Sequence, residues 1–140
     1  MNKSNLHVLL VDDDEATIFI YKWLLDKKNV ADWIQVADNG RQAIDYILKC
    51  YEHPDPLGYS KLPDLILLDI NMPIMDGWEF LERFAELPKE ITEKPIIICM
   101  LTTLDVEAAK TKLVNSKFIA GISSKPLTSQ ALDKILASIN

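Results

Sequence analysis

Asp64-Leu65-Ile66-Leu67-Leu68-Asp69 holds an apolar run that does not alternate with polar residues. Ile96-Ile97-Ile98-Cys99-Met100-Leu101, after Pro95, is a second such run. A strand with one wet face alternates. A strand apolar at every position is buried on both faces, the mark of a parallel sheet covered by helices. Outward from these two runs, strand-like segments alternate with helical patterns five times. Leu6 to Val11 reads as the first strand. The helix after it, Glu15 to Lys28, places Ile18, Tyr21, Leu24 and Leu25 on one face. Trp33 to Ala37 reads as the second strand and ends at Asp38-Asn39-Gly40, a turn signal that receives no functional role. Ala43, Ile44, Ile47, Leu48 and Tyr51 mark the second helix. Gly77 to Leu87, Leu104 to Asn115 and Ser129 to Ile139 read as the other helices, and Phe118 to Ser123 as the last strand. The stretch Glu52 to Pro63 contains Pro54, Pro56, Gly58 and Pro63 and reads as a long solvated loop.

Five strand-helix units in a row predict a doubly wound α/β fold with helices on both faces of the sheet. The 140 residues fit one domain, 1–140, with no output domain, and 49% hydrophobic residues can fill its core. A net charge of −6 argues against a nucleic-acid footprint and against a polybasic membrane anchor. No apolar run approaches the roughly 20 residues that span a bilayer. The first residues lead straight into a strand without a signal-peptide core, so the expected location is cytoplasmic. Cys50 and Cys99 sit inside apolar segments and are expected as buried free thiols. His7 and His53 form no ligand-like pair and are expected as ordinary surface or loop histidines.

In such folds ligands bind outside the carboxyl ends of the strands. Those ends read Asp12-Asp13-Asp14-Glu15, Asp69-Ile70-Asn71, Thr102-Thr103 and Ser123-Ser124-Lys125-Pro126. Helix capping and the helix dipole account for Asp14 and Glu15. They do not account for acids at Asp12 and Asp13 directly against a buried strand, with Asp69 expected beside them. Two unit charges about 4 Å apart repel by roughly 4 kcal/mol at an effective dielectric of about 20. The cluster therefore calls for a cation, and oxygen-only donors suit Mg²⁺ or Mn²⁺ rather than zinc. A carboxylate at Asp69 can act as a nucleophile and form an aspartyl-phosphate. Thr102 offers a hydroxyl and Lys125 a point charge for the remaining phosphoryl oxygens. Taken singly, Thr102 is a helix cap and Lys125 a surface lysine. Their order at the strand ends favours the shared site.

With these residues in view, the chain resembles the response-regulator receiver family, the CheY-like domains. Leu9-Leu10-Val11-Asp12-Asp13-Asp14 is similar to that family's first strand and acidic pair. Leu67 to Gly77, reading Leu-Leu-Asp-Ile-Asn-Met-Pro-Ile-Met-Asp-Gly, resembles its phosphorylation segment. Met100-Leu101-Thr102-Thr103 and Ser124-Lys125-Pro126 resemble its hydroxyl site and its lysine-proline element. The resemblance covers nearly the whole chain. It implies a five-stranded parallel sheet in the flavodoxin-like order 2-1-3-4-5, with Asp69 as phosphoacceptor. It further implies that Asp13, the Asp69 side chain and the Asn71 carbonyl bind the metal, with Asp12 acting through a metal-bound water. Thr102 and Lys125 would hold the phosphoryl group, and Pro126 would follow a cis peptide bond. The implied donor is a sensor histidine kinase or a histidine phosphotransfer protein, and the implied output is contact with a downstream protein partner or relay of the phosphoryl group.

Two positions depart from the family pattern. Thr103 stands where Ala or Gly is usual, which implies tighter access to the site. Ile122 stands where Tyr or Phe is usual, so coupling is expected to run through Thr102 and the loop entering the helix at Leu104. A rival from another class, the haloacid-dehalogenase type of phosphatase, also uses a strand-end Asp and Mg²⁺. Its first strand ends in Asp-x-Asp-x-Thr, where this chain has Ala16, and it needs a late acidic pair, where this chain has only Asp133 inside a helical pattern.

Overall fold

The computed structural model describes residues 5–53, 61–103, 106–112 and 119–139. Strands β1 (Leu6–Val11), β2 (Ala31–Ala37), β3 (Leu65–Asp69), β4 (Ile97–Thr102) and β5 (Ile119–Ser124) form one sheet in the order β2-β1-β3-β4-β5. Every neighbouring pair is parallel. The described helices are α1 (Glu15–Lys28), α2 (Gly40–Glu52), α3 (Gly77–Ala85), α4 (Lys89–Thr92), α5 (Val106–Lys112) and α6 (Ser129–Ala137).

Side-chain alternation along the central strands feeds two cores. Leu9, Val11, Ile66, Leu68, Ile98 and Met100 pack with residues of α2, α3, α4 and α5. Leu6, Val8, Leu10, Leu65, Leu67, Cys99 and Leu101 pack with residues of α1 and α6. Both faces are dry, which is why these strands carry no polar alternation. The registers place Val11 opposite Leu68, Asp69 opposite Leu101 and Thr102 opposite Ser124. The strands β1, β3, β4 and β5 therefore end along one edge of the sheet.

Helix starts follow local chemistry. Asp14 caps α1 by accepting from the Thr17 backbone at 3.1 Å, and Asn39 caps α2 by accepting from the Gln42 backbone at 2.9 Å. Asp76 and Glu79 form a capping box at α3. The loop between β3 and α3 is pinned at both ends. The Gly77 backbone donates to Ile70 O at 2.8 Å, and a Cβ at Gly77 would lie 2.9 Å from Asp69 O. The Gly40 backbone donates to Met75 O at 3.0 Å.

Three expectations change. The helix α4 was not foreseen, being a single turn behind Pro88 with only Ile91 buried. β2 starts two residues earlier, at Ala31, because Leu6 pairs with it. Cys50 and Cys99 are buried and free, as expected. His7, expected at the surface or in a loop, is instead buried at 4% exposure inside β1. Its backbone N–H donates to Asp64 Oδ2 at 2.9 Å and its carbonyl accepts from the Asp64 backbone at 2.8 Å. β1 is paired on both sides, so a residue at this position is enclosed whatever its polarity. Residues 54–60 of the expected loop, Leu104 and Asp105, residues 113–115 and Phe118 lie outside the described residues.

Two measurable consequences follow from local chemistry. Ile74 has φ 69°, in a tight turn where the Met75 backbone donates to Pro73 O at 2.7 Å. A β-branched residue in this region is an outlier. The left-handed conformation costs a non-glycine residue about 1–2 kcal/mol, least for Asn or Asp. Ile74 is 75% exposed, so little packing is lost on replacement. Ile74→Asn should raise the unfolding free energy by about 1 kcal/mol in denaturant titration. Burial pushes the His7 imidazole below its ordinary 6.5, helped by the Lys61 charge and opposed by Asp64 and Asp32. The unfolded chain thus binds the proton first, and stability falls as pH drops from 6.5 toward the lowered folded value. His7→Leu should remove that slope, its stability relative to wild type improving between about pH 7 and about pH 5.

Candidate functional site

Each candidate side chain reaches the site from the end of a strand, and β1, β3 and β4 are buried. Asp12 follows β1, with its backbone donating to Ala37 O at 3.1 Å, and its carboxylate is buried. Asp13 follows and is exposed. Asp69 ends β3 and is buried. The Ile70 backbone donates to Leu101 O at 3.1 Å, and the Asn71 backbone donates to Asp69 Oδ1 at 3.3 Å. Thr102 ends β4, buried, and its carbonyl accepts from the Lys125 backbone at 2.8 Å. That bond fixes the start of the segment after β5, which continues through the cis peptide Lys125-Pro126.

Asp12, Asp13 and Asp69 each present a carboxylate oxygen, and these oxygens lie within 4.8 Å of one another. Lys125 Nζ lies 2.8 Å from Asp12 Oδ2 and 3.3 Å from Asp69 Oδ1. Asp12 Oδ1 accepts from the Asp14 backbone at 2.9 Å. Asp14 points elsewhere: it accepts from the Thr17 backbone and hydroxyl, and that hydroxyl bond holds its carboxyl below the usual range. The run of three acids thus divides, with Asp14 closing the helix and Asp12 and Asp13 facing Asp69.

The electrostatics follow from this crowding. Burial, then the Asp12 charge, push the Asp69 carboxyl above its usual range, against the pull of Lys125. Burial alone would lower the Lys125 ammonium, but the bond and charge of Asp12, with Asp69, hold it above its usual range. Among the described residues, one ammonium for three neighbouring carboxylates leaves negative charge in excess. All donors are hard oxygens, so the cluster fits a cation of the Mg²⁺ or Mn²⁺ kind.

Beside the cluster lies a cleft of about 310 Å³ lined by Asp14, Thr17, Ile20, Tyr21, Thr103, Lys125 and Pro126. Reading the sequence placed Tyr21 only on the core face of α1. One signal could have placed it here: Tyr21 stands seven residues after Asp14, two turns on and on the same face of the helix. Thr103 is exposed at the cleft wall. Ile122 is half-buried against the core that contains Met100 and Ala109. Phe19, Ile20 and Trp23 leave an exposed apolar surface on α1.

A family model described as the response regulator receiver domain matches residues 8–137. A two-component response regulator from Cytophaga hutchinsonii superposes with a TM-score of 0.85 at 26% identity, covering 98% of each chain. One from Legionella pneumophila superposes with a TM-score of 0.75 at 30% identity, covering 96% of this chain and 97% of the other. Two-component response regulator 24 of Arabidopsis thaliana is 29% identical over 99% of this chain and 86% of its own length. The chain spans 56% of the length of a curated relative from Leptolyngbya boryana and 26% of that of a protein-glutamate methylesterase/protein-glutamine glutaminase from Archaeoglobus fulgidus.

The division of the three acids is open to measurement. Loss of groups that merely orient metal ligands lowers affinity by about 10–100-fold. Asp13→Ala should weaken Mg²⁺ binding at least about tenfold in calorimetric titration, while Asp14→Ala should leave it near wild type. Equal losses would mean that Asp14 also faces the cation.

Proposed function

The chain belongs to the response regulator receiver family, and from that premise we propose that Asp69 takes a phosphoryl group from a phosphohistidine, presented by a sensor histidine kinase or a histidine phosphotransfer protein. The observation that carries this reading is the junction of Asp69 with Asp12, Asp13 and Lys125 at one strand-end edge. A carboxylate oxygen of Asp69 would attack phosphorus in line. The new bond is the P–O bond of an acyl phosphate, and the bond that breaks is P–N to the donor imidazole, which leaves with the electron pair and takes a proton. Asp12, Asp13, Asp69 and the Asn71 carbonyl would hold Mg²⁺ or Mn²⁺, which supplies neutralisation of the phosphoryl oxygens.

Lys125 already lies within 3.3 Å of Asp69 and would pair with one phosphoryl oxygen, while the Thr102 hydroxyl would take another. The chain turns over no external substrate in this reading. It catalyses its own phosphorylation and hydrolysis and signals through a downstream protein partner. The exposed Ile20 at the cleft, with the exposed Phe19 and Trp23 of the same helix, provides apolar surface suited to the donor protein. Because Ile122 is stiff and lacks a ring, the change would pass through Thr102 toward α5. The phosphatase reading loses further support from Asp133, which pairs with Lys28 at 2.7 Å on α6 instead of reaching the acid cluster.

The test is incubation with acetyl phosphate and Mg²⁺ followed by intact mass. Wild type should gain one phosphoryl group and Asp69→Asn none. Modification of that variant to the same extent would remove Asp69 from the role.

A further inference from the structure

The end of the sheet opposite the acid cluster also carries a cavity, of about 460 Å³. Cys50 and Tyr51 reach it from the last turn of α2, and Glu90 from α4. Lys61 to Asp64, ahead of β3, and Lys94 to Ile96, ahead of β4, complete its walls. Two features that the phosphoryl site leaves unused meet here: the described end of the long stretch before β3, and the single turn α4. From Asp64 at the wall to Asp69 the chain runs the length of β3, roughly 16 Å at about 3.3 Å per residue.

The walls are held by bonds of their own. The Tyr51 hydroxyl donates to Glu90 Oε2 at 2.9 Å and ties α2 to α4. The Lys94 backbone donates to Ile91 O at 3.0 Å, and its carbonyl accepts from the Ile96 backbone at 2.8 Å. Asp64 Oδ2 accepts from the His7 backbone at 2.9 Å, and the Asp64 carbonyl accepts from the Ile97 backbone at 3.0 Å. Both acids of the cavity are thereby engaged within the walls. Its two ammoniums are not: among the described residues, neither Lys61 nor Lys94 forms an ion pair. Leu62 and Ile96 add apolar surface, packed from below against the core that holds Ile47 and Phe84. Small-molecule sites are preformed hollows of about 300–1,000 Å³ with apolar linings and a few polar groups that orient the ligand. Here the polar groups left over are both cationic, so the ligand that complements them carries negative charge.

We propose that this cavity binds a small amphipathic anion, with an apolar ring system against Leu62 and Ile96 and one acidic group attracted by Lys61 and Lys94. The inference is independent of the phosphoacceptor reading, because the cavity shares no residue with the acid cluster.

The probe is anilinonaphthalene sulfonate, an apolar ring system with one acidic group, titrated by fluorescence at low ionic strength. Its uncharged relative phenylnaphthylamine reads the apolar contact alone. Wild type should bind the sulfonate at one saturable site, and the amide resonances that move should centre on Cys50, Tyr51, Lys61 to Asp64 and Glu90 to Ile96. Lys61 and Lys94 are exposed, so the double variant Lys61→Ala with Lys94→Ala should keep the wild-type unfolding temperature. Its affinity for the sulfonate should fall about tenfold, the effect of losing two exposed charge pairs, while phenylnaphthylamine binds both proteins alike. Lys110→Ala with Lys134→Ala makes the same change in net charge at a different groove, beside β5, and should leave sulfonate binding as in wild type. Equal losses in the two double variants would mean general charge attraction and would overturn the proposal. So would unchanged affinity in the Lys61 and Lys94 variant, resonance shifts centred on Phe19 and Trp23 of α1, or a wild type that binds no sulfonate.

Discussion

Carboxylates gathered at the ends of buried strands repel one another, and among the described residues the ammonium of Lys125 answers that repulsion. Lys125 bridges Asp12 and Asp69 at 2.8 and 3.3 Å. Much of the surrounding architecture serves to keep these three groups together. Parallel registers bring β1, β3, β4 and β5 to the same edge, and the bond from the Lys125 backbone to Thr102 O joins the last two of them. A parallel sheet is suited to this because helices cover both faces and leave the carboxyl ends open. Charge can then be assembled at the edge without passing through the core.

The β3–α3 loop shows the same constraint from the backbone side. It must hold the Asn71 amide near Asp69 while turning sharply into α3. Gly77 permits backbone contact with Asp69 and Ile70 that a Cβ would block at 2.9 Å. Gly40 ties the loop to the start of α2 through Met75. Between these anchors the chain accepts an isoleucine at positive φ, a conformation that surrounding contacts must enforce. The strain sits next to the candidate site, whereas the strands beneath it are regular.

The fold was legible because its strongest signal is collective. The unbroken apolar runs of β3 and β4 and the period of α1 require only patterning, and α1 runs from Glu15 to Lys28 as read. The site was legible because acids and a lysine at strand ends have no place in a dry core. What escaped depends on tertiary context that a single sequence does not carry. His7 looks like any loop-edge histidine until β1 is known to pair on both sides. The turn α4 has too few residues to show a period. Asn39 received no role because a turn signal and a helix cap use the same residue types, and only the bond to Gln42 separates them. Tyr21 was placed on the correct face of its helix, but that face borders both the core and the acid cluster. Periodicity cannot say which end of a side chain meets which.

That last ambiguity explains how one helix can serve several ends. Asp14 closes the N-terminus of α1, and the bonds it forms with Thr17 draw it out of the acid cluster. One turn further, Ile20 edges the cleft, and Phe19 and Trp23 extend an apolar surface into solvent. Tyr21 turns inward between them, with its ring in the core. Successive positions on a helix are about 100° apart, so a cap, an exposed apolar surface and an inward contact can occupy neighbouring residues without competing. Such a helix is rigid because Leu24 and Leu25 anchor it to the sheet. The apolar surface and the edge of the cleft are therefore carried on one element anchored to the sheet.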